Sequence, residues 1–324
     1  MVRNRYPAQT PRLAVAALAL FLSACASERE FRAQPFDAPE TVAEQAVETR
    51  IDSTLRAAGG DTIALTRWPA RGARRGVILA VHGFGDYGLS TFRDAAEEWR
   101  GAGLDVYAYD QRGFGRNPSR GEWPGAERLI EDLSRVFALV EAQAAGAPVT
   151  VVGHSMGGAV VAAALGEGRI DPARAVLLGP ALWGGPHLGL GYRALAGAGT
   201  VLFPDRRWSG KGVVRIQASD NIDALRALGR DRLYLGKPSA REFSGLIALM
   251  DRAVETAPQV TTPVLVLYGA QDQVVPEDPL RETTALFAGP KEFRVVETGW
   301  HLLLRDLEGA VVRDAVAGYA LGEG

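Results

Sequence analysis

Apolar residues along this chain recur in two ways. At 76–81, 149–152, 175–178 and 264–268 they form short, nearly unbroken runs rich in Val, Leu and Ala. A strand with one face in water alternates apolar and polar residues, so unbroken runs of this length predict strands covered on both faces. Elsewhere the spacing is helical: Leu129, Ile130, Leu133, Val136, Phe137 and Val140 share one stripe of a helix over 126–145. Further helices are expected over 92–100 and 307–321, and further strands over 105–109 and 292–296. An edge hairpin is expected where 52–56 and 62–68 flank Gly59, Gly60 and Asp61. Alternating strands and helices predict the α/β class, a mainly parallel sheet with helices on both faces.

The alternation breaks once, between Gly179 and Thr262. This stretch carries Trp183, His187, Tyr192, Trp208, Tyr234 and Phe243 among scattered glycines and prolines, and no clear strand. It reads as an insertion of short helices, a cap over about 185–252. The cap holds 11 Lys/Arg against 6 Asp/Glu in a chain whose formal net charge is −2. The aromatic residues and the positive excess are the material of a binding surface, and a solvated cap with scattered charge would look the same. Nothing in the overall charge selects a nucleic acid.

Before the domain lies a different kind of segment. Residues 1–24 carry Arg3, Arg5 and Arg12, then apolar residues over 13–22, then Ser23 and Ala24. About ten apolar residues are too few to span a bilayer, which takes roughly 20. The order of basic, apolar and small residues is that of a signal peptide. Leu22-Ser23-Ala24-Cys25 also resembles the bacterial lipobox, which implies lipid attachment at Cys25, the single cysteine of the 324 residues. Ala26 after it implies sorting to the outer membrane, so the expected location is the bacterial cell envelope, lipid-anchored. A plain secretory signal is the other reading. Residues 25–50 are polar and alanine-rich, with Pro35 and Pro39, and read as a tether. The domain then occupies 51–324.

The chemistry gathers where predicted strands end, which is where open parallel sheets place functional groups. After 149–152 comes Gly153-His154-Ser155-Met156-Gly157, a G-x-S-x-G turn that holds a serine on a strained elbow between strand and helix. Ser155 is the candidate nucleophile. The strand over 77–81 ends in His82-Gly83-Phe84-Gly85-Asp86, whose glycines free the backbone to present N–H groups to an oxyanion. The strand over 264–268 leads to Asp272, and that over 292–296 to His301. Asp278 and Asp306 are the other candidate acids.

Together, His82-Gly83-Phe84-Gly85, Asp110-x-Arg112-Gly113-x-Gly115, Gly153-x-Ser155-x-Gly157-Gly158, Gly269-x-x-Asp272 and His301 resemble the α/β-hydrolase superfamily, in its monoacylglycerol lipase and lysophospholipase branch. The resemblance covers about 52–321. It implies a serine hydrolase that cleaves carboxylic esters through an acyl-enzyme, with Ser155, Asp272 and His301 as triad. The backbone N–H groups of Phe84 and Met156 would form the oxyanion hole, with monoacylglycerols or lysophospholipids as substrates. Neither cofactor nor metal is expected, and no partner is implied beyond an acyl ester or lysolipid and a membrane met through the lipid anchor; the oligomeric state is open. Relatives often carry a carboxylate shortly after the base, whereas His301 is followed by three leucines.

Other readings stay open. The same triad serves a peptidase or a small-ester hydrolase, and an envelope binding lipoprotein could use a hydrolase shell without catalysis. His154, next to Ser155, reads as packing. His82 is expected to hold the shape of its loop, and Asp110 and Arg112 to fix theirs as a structural pair. His187 falls in the cap without an evident role.

Overall fold

Strands form where the apolar runs fall. The computed structural model describes residues 49–56, 61–207 and 216–323, without the side chains of Leu190, Tyr192 and Leu195. The signal peptide, Cys25, most of the tether, Gly59, Gly60 and Trp208 therefore lie outside the described residues. Eight strands make one sheet in the order β1-β2-β4-β3-β5-β6-β7-β8. They are β1 (Ile51–Arg56), β2 (Thr62–Trp68), β3 (Gly76–Val81), β4 (Leu104–Tyr109), β5 (Val149–His154), β6 (Arg174–Leu178), β7 (Val264–Gly269) and β8 (Lys291–Val296). The β1–β2 and β2–β4 pairs are antiparallel and all later pairs are parallel.

The unbroken apolar runs have the cause expected of them. Val77, Leu79 and Val81 of β3 point into one core, and Ile78 and Ala80 into the other, on the opposite face. β7 divides the same way, Val264, Val266 and Tyr268 against Leu265 and Leu267. Each fully buried Val, Leu or Ile contributes about 1.5–3 kcal/mol, so cutting one back to Ala, as in Leu79→Ala, is expected to cost about 3 kcal/mol. One face is covered by α1 (Gly88–Gly101) and α8 (Gly309–Leu321), the other by α2 (Ala126–Ala144), α3 (Met156–Gly166) and α6 (Ala240–Thr256).

Between β6 and β7 the described residues form a 3-10 turn (Gly185–His187), α4 (Leu190–Leu202), α5 (Ile222–Arg230), α6 and a second 3-10 turn (Ala257–Gln259). Of these, α6 is not a loose cap helix: Ile247, Leu249, Met250, Ala253 and Val254 are buried, all but Val254 in the core that holds α3. The expected insertion over 185–252 thus ends inside a helix of the layer that covers the sheet. α6 starts at Ser239, whose Oγ accepts from Glu242 N while Glu242 Oε2 accepts from Ser239 N. This reciprocal cap is held by Arg207, which ion-pairs with Glu242 and also reaches the Gly121 carbonyl. A short helix, α7 (Glu277–Ala285), follows β7; the sequence pattern did not announce it. Among the described residues, no helix is long and apolar enough to cross a membrane.

Candidate active site

The sheet changes winding direction at β3, which has β4 on one side and β5 on the other. Ser155 follows β5 directly, with φ 52° and ψ −117°, one of two non-glycine residues with positive φ among those described. Such a conformation persists only where its surroundings enforce it. Here Ser155 N–H donates to Leu178 O, and Ser155 O accepts from Gly158, Ala159 and Ala181 N–H. Gly157 is required by close approach: a Cβ there would drive into the Val81 and His82 carbonyls at the end of β3. The contact also seats the oxyanion loop on the elbow, since a Cβ on Gly83 would lie 3.2 Å from Ser155 Cβ.

Three side chains from three strand ends meet there. His301 Nε2 lies 3.0 Å from Ser155 Oγ, and its Nδ1 2.8 Å from Asp272 Oδ2. The second Asp272 oxygen accepts from Val274 N at 2.7 Å and Val275 N at 3.0 Å. The Asp272 side chain is fully buried and that of His301 nearly so. A carboxylate fixed by two backbone donors can orient an imidazole and favour its charged form. Met156 opens α3, so its N–H belongs to the first turn, where helix N–H groups lack internal partners and the helix dipole favours negative charge. Phe84, in the loop across from it, stacks on Trp123 and meets Phe114 edge-on.

The other acids lie elsewhere. Asp278 is in the first turn of α7. Asp306, five residues past His301, is 6% exposed and accepts from Trp300 N–H at 2.7 Å and Ser219 Oγ–H at 2.6 Å. A carboxylate therefore does lie under the base's loop, beyond the three leucines and Arg305 that separate the two in sequence. Burial pushes its pKa above the usual carboxylate value, against the opposing pull of its two donors. Among the described residues, no group of three or more His, Cys, Asp or Glu is placed to hold a metal ion.

The remaining histidines divide by partner. His82 is fully buried and bonds Gly83 O through Nδ1 and Gln111 N–H through Nε2, so it ties the oxyanion loop to the loop after β4. Burial lowers its pKa. His154 does more than pack, because its Nε2 donates to the main-chain carbonyl of His301 at 3.0 Å. Burial, and then the neighbouring His301, push its pKa down to about 3, which keeps the ring neutral. His187 sits 3.6 Å from Glu282 on α7, away from Ser155. Asp110 and Arg112 hold their loop, but not as a pair. Asp110 is bound by Arg116 and by Gly88 N, and Arg112 by Asp132 and Asp61. Each has an opposite charge of its own at hand: Arg116 lies six residues after Asp110 in the same loop, and Asp132 on α2 takes Arg112 through two bonds of 2.9 Å.

Of the cap's aromatic residues, Trp183 and Phe243 are half-buried against the core that carries Met156 and Tyr268. Phe84, Trp123, Leu235, Leu246 and Val274 join them, although the sequence pattern singled out none of the last four.

A doubly covered, mainly parallel sheet with Ser, Asp and His in that order after β5, β7 and β8 defines an α/β-hydrolase. Residues 72–308 match the family described as serine aminopeptidase, S33, also called Hydrolase_4. That match spans nearly three quarters of the chain, and the chain belongs to this family. It is 28% identical over 240 residues to the monoacylglycerol lipase of Mycolicibacterium smegmatis, covering 70% of this chain and 81% of that protein. It is 27% identical over 212 residues to a phospholipase of Bacillus subtilis, covering 61% and 76%. Among solved structures, the monoacylglycerol lipase of Paleococcus ferrophilus superposes with a TM-score of 0.69 at 23% identity, over 81% of this chain and 99% of that one.

Proposed function

We propose that this chain is a serine ester hydrolase whose preferred substrates are monoacylglycerols. The observation that carries the reading is the aligned relay from Asp272 Oδ2 through His301 to Ser155 Oγ, at 2.8 and 3.0 Å. Ser155 Oγ attacks the ester carbonyl as His301 Nε2 takes its proton, and Asp272 stabilises the imidazolium that results. The oxyanion is received by the N–H groups of Phe84 and Met156. The intermediate collapses to an acyl-Ser155, and the alcohol leaves with the proton from His301. His301 then activates water to free the fatty acid. Half-buried Phe84, Trp123, Trp183 and Leu235 suit an acyl chain, and the names of the matched relatives support glycerol as the alcohol.

The family's name favours a second reading, cleavage at a peptide's amino terminus. That activity needs a carboxylate free to pair with the substrate's α-ammonium. Asp86 of the oxyanion loop and Glu242 and Asp251 of the insertion are engaged by Arg305, Arg207 and Arg193. Rates on a monoacylglycerol, a lysophospholipid and an aminoacyl anilide compare the readings directly. Fastest turnover of the anilide would reverse the choice.

Cys25 and the residues before it support attachment to a bacterial membrane through lipid, with the polar stretch up to Arg50 as tether. Several acyl chains on one cysteine anchor a protein stably, whereas one chain binds only marginally. Cys25→Ser is then expected to abolish incorporation of radioactive fatty acid and release the protein from the membrane fraction. A wild-type protein that takes up no label would leave only the secretory reading.

A further inference from the structure

The segment from Gln217 to Leu235, which contains α5, is fastened to the loops that carry the acid, the base and the oxyanion hole of the proposed chemistry. Gln217 N–H donates to Gln273 Oε1 beside the acid. Leu302 N–H donates to Ala218 O at 2.8 Å, Asn221 Nδ2 donates to Arg305 O, and Leu307 N–H donates to Asp220 Oδ1, all in the loop after His301. At its other end, Leu235 N–H donates to Gly85 O at 2.7 Å and Asp231 accepts from Tyr87 Oη–H, at the oxyanion loop. A further tie is made by a buried carboxylate and reaches the other neighbour of the base. Asp306 joins Ser219 Oγ of this segment to the N–H of Trp300, the residue next to His301.

Resting on the hydrolase reading above, we propose that Asp306 is a positioning residue for His301, and that Ser219 makes the alignment of the base depend on the seating of the cap. Both bonds to Asp306 are short and charge-assisted, the strongest class of neutral-donor hydrogen bond. They fix the backbone one residue before the imidazole, where a displacement of about 1 Å in the reacting groups can slow a reaction roughly 100-fold. His301 acts electrostatically on Asp306 and favours its carboxylate, whereas Asp220 opposes it. The other groups around the imidazole are Asp272 on Nδ1 and His154, its ring centre 5.2 Å away, with Arg305 and Asp86 beyond. A negative Asp306 favours the imidazolium, so losing that charge moves the acid limb of reactivity to lower pH.

The test is the rate at which a fluorophosphonate labels Ser155, followed against pH, because it reads the activated serine whatever the natural substrate. Asp306→Asn is expected to slow labelling by about 10- to 100-fold at pH 8 and to move the acid limb to lower pH. Ser219→Ala, which keeps the charge and removes the tie, is expected to slow it several-fold with its acid limb nearer that of wild type; Ser219→Thr restores the rate. Asp132→Asn, remote from the base, lowers stability and serves as the reference for loss of structure alone, with rate and limb unchanged. Should Asp306→Asn not fold, the Ser219 pair decides. Profiles for Asp306→Asn and Ser219→Ala that superimpose on wild type well below their melting temperatures overturn the proposal. A wild-type protein that takes no label at Ser155 overturns the hydrolase reading, and this one with it.

Discussion

His154 donates its Nε2–H to the carbonyl of His301, so the residue just before the proposed nucleophile holds the residue proposed as its base. The ring stays neutral, with Nε2 carrying the proton, because burial and then the neighbouring His301 lower its pKa from 6.5 to about 3. The folded state therefore resists a proton that the unfolded chain accepts between those two values. Stability from this group is complete above pH 6.5 and declines as pH falls toward 3.

That linkage gives a pH prediction. The melting temperature of wild type is expected to fall between pH 6.5 and 4, and His154→Gln to fall less steeply over the same range. The same substitution is expected to lower kcat about tenfold, since the His301 loop loses a tie. Parallel melting curves against pH for the two proteins would show that His154 does not titrate as described.

Arg112 and Asp132 make the second prediction. Two parallel bonds of 2.9 Å join them, with 8% and 1% of the side chains exposed. Asp132→Ala removes the buried partner and leaves Arg112 to the half-exposed Asp61, so it is expected to cost up to about 3 kcal/mol. Urea unfolding measures it. Activity below the new transition is expected to stay near wild type, because the pair supports the loop after β4 and reaches none of Ser155, Asp272 or His301.

The third prediction concerns acyl length. Each buried CH₂ contributes about 0.8 kcal/mol, close to fourfold in affinity, so kcat/KM is expected to climb with chain length until the apolar surface is filled. Trp123 stacks on Phe84 and lies against Gly245 of α6. Trp123→Ala is expected to flatten the climb while short esters react almost as before. Equal kcat/KM for acetyl and decanoyl esters of one alcohol, with chemistry limiting, contradicts an acyl site.

What the sequence revealed follows from how local each cause is. β3, β5, β6 and β7 were legible because burial on both faces removes polar residues from the strand itself. The elbow was legible because its strain demands small residues next to Ser155. α7 was not, since nine largely polar residues with Pro279 in the first turn carry little helical signal. The seat of Asp306 was not either, for its partner Ser219 is 87 residues away and a hydrogen bond at that separation leaves no spacing to read. His154 was read as packing for the same reason, its partner being 147 residues distant. Arg116 is different: it lies six residues from Asp110, and charge alternation within that loop could have suggested the pair.

The central claim is that Ser155, activated by His301 and Asp272, attacks an acyl ester. Asp278 is the built-in control, an acid near Asp272 in sequence that takes no place in the relay. Asp278→Asn is expected to leave turnover unchanged. The most direct measurement is fatty acid release from a monoacylglycerol by wild type, Ser155→Ala, His301→Ala and Asp272→Asn, each with its thermal unfolding recorded. All three variants are expected to fold and to show kcat lower by roughly 10⁴ or more. A folded Ser155→Ala or His301→Ala protein that turns over within tenfold of wild type contradicts that claim.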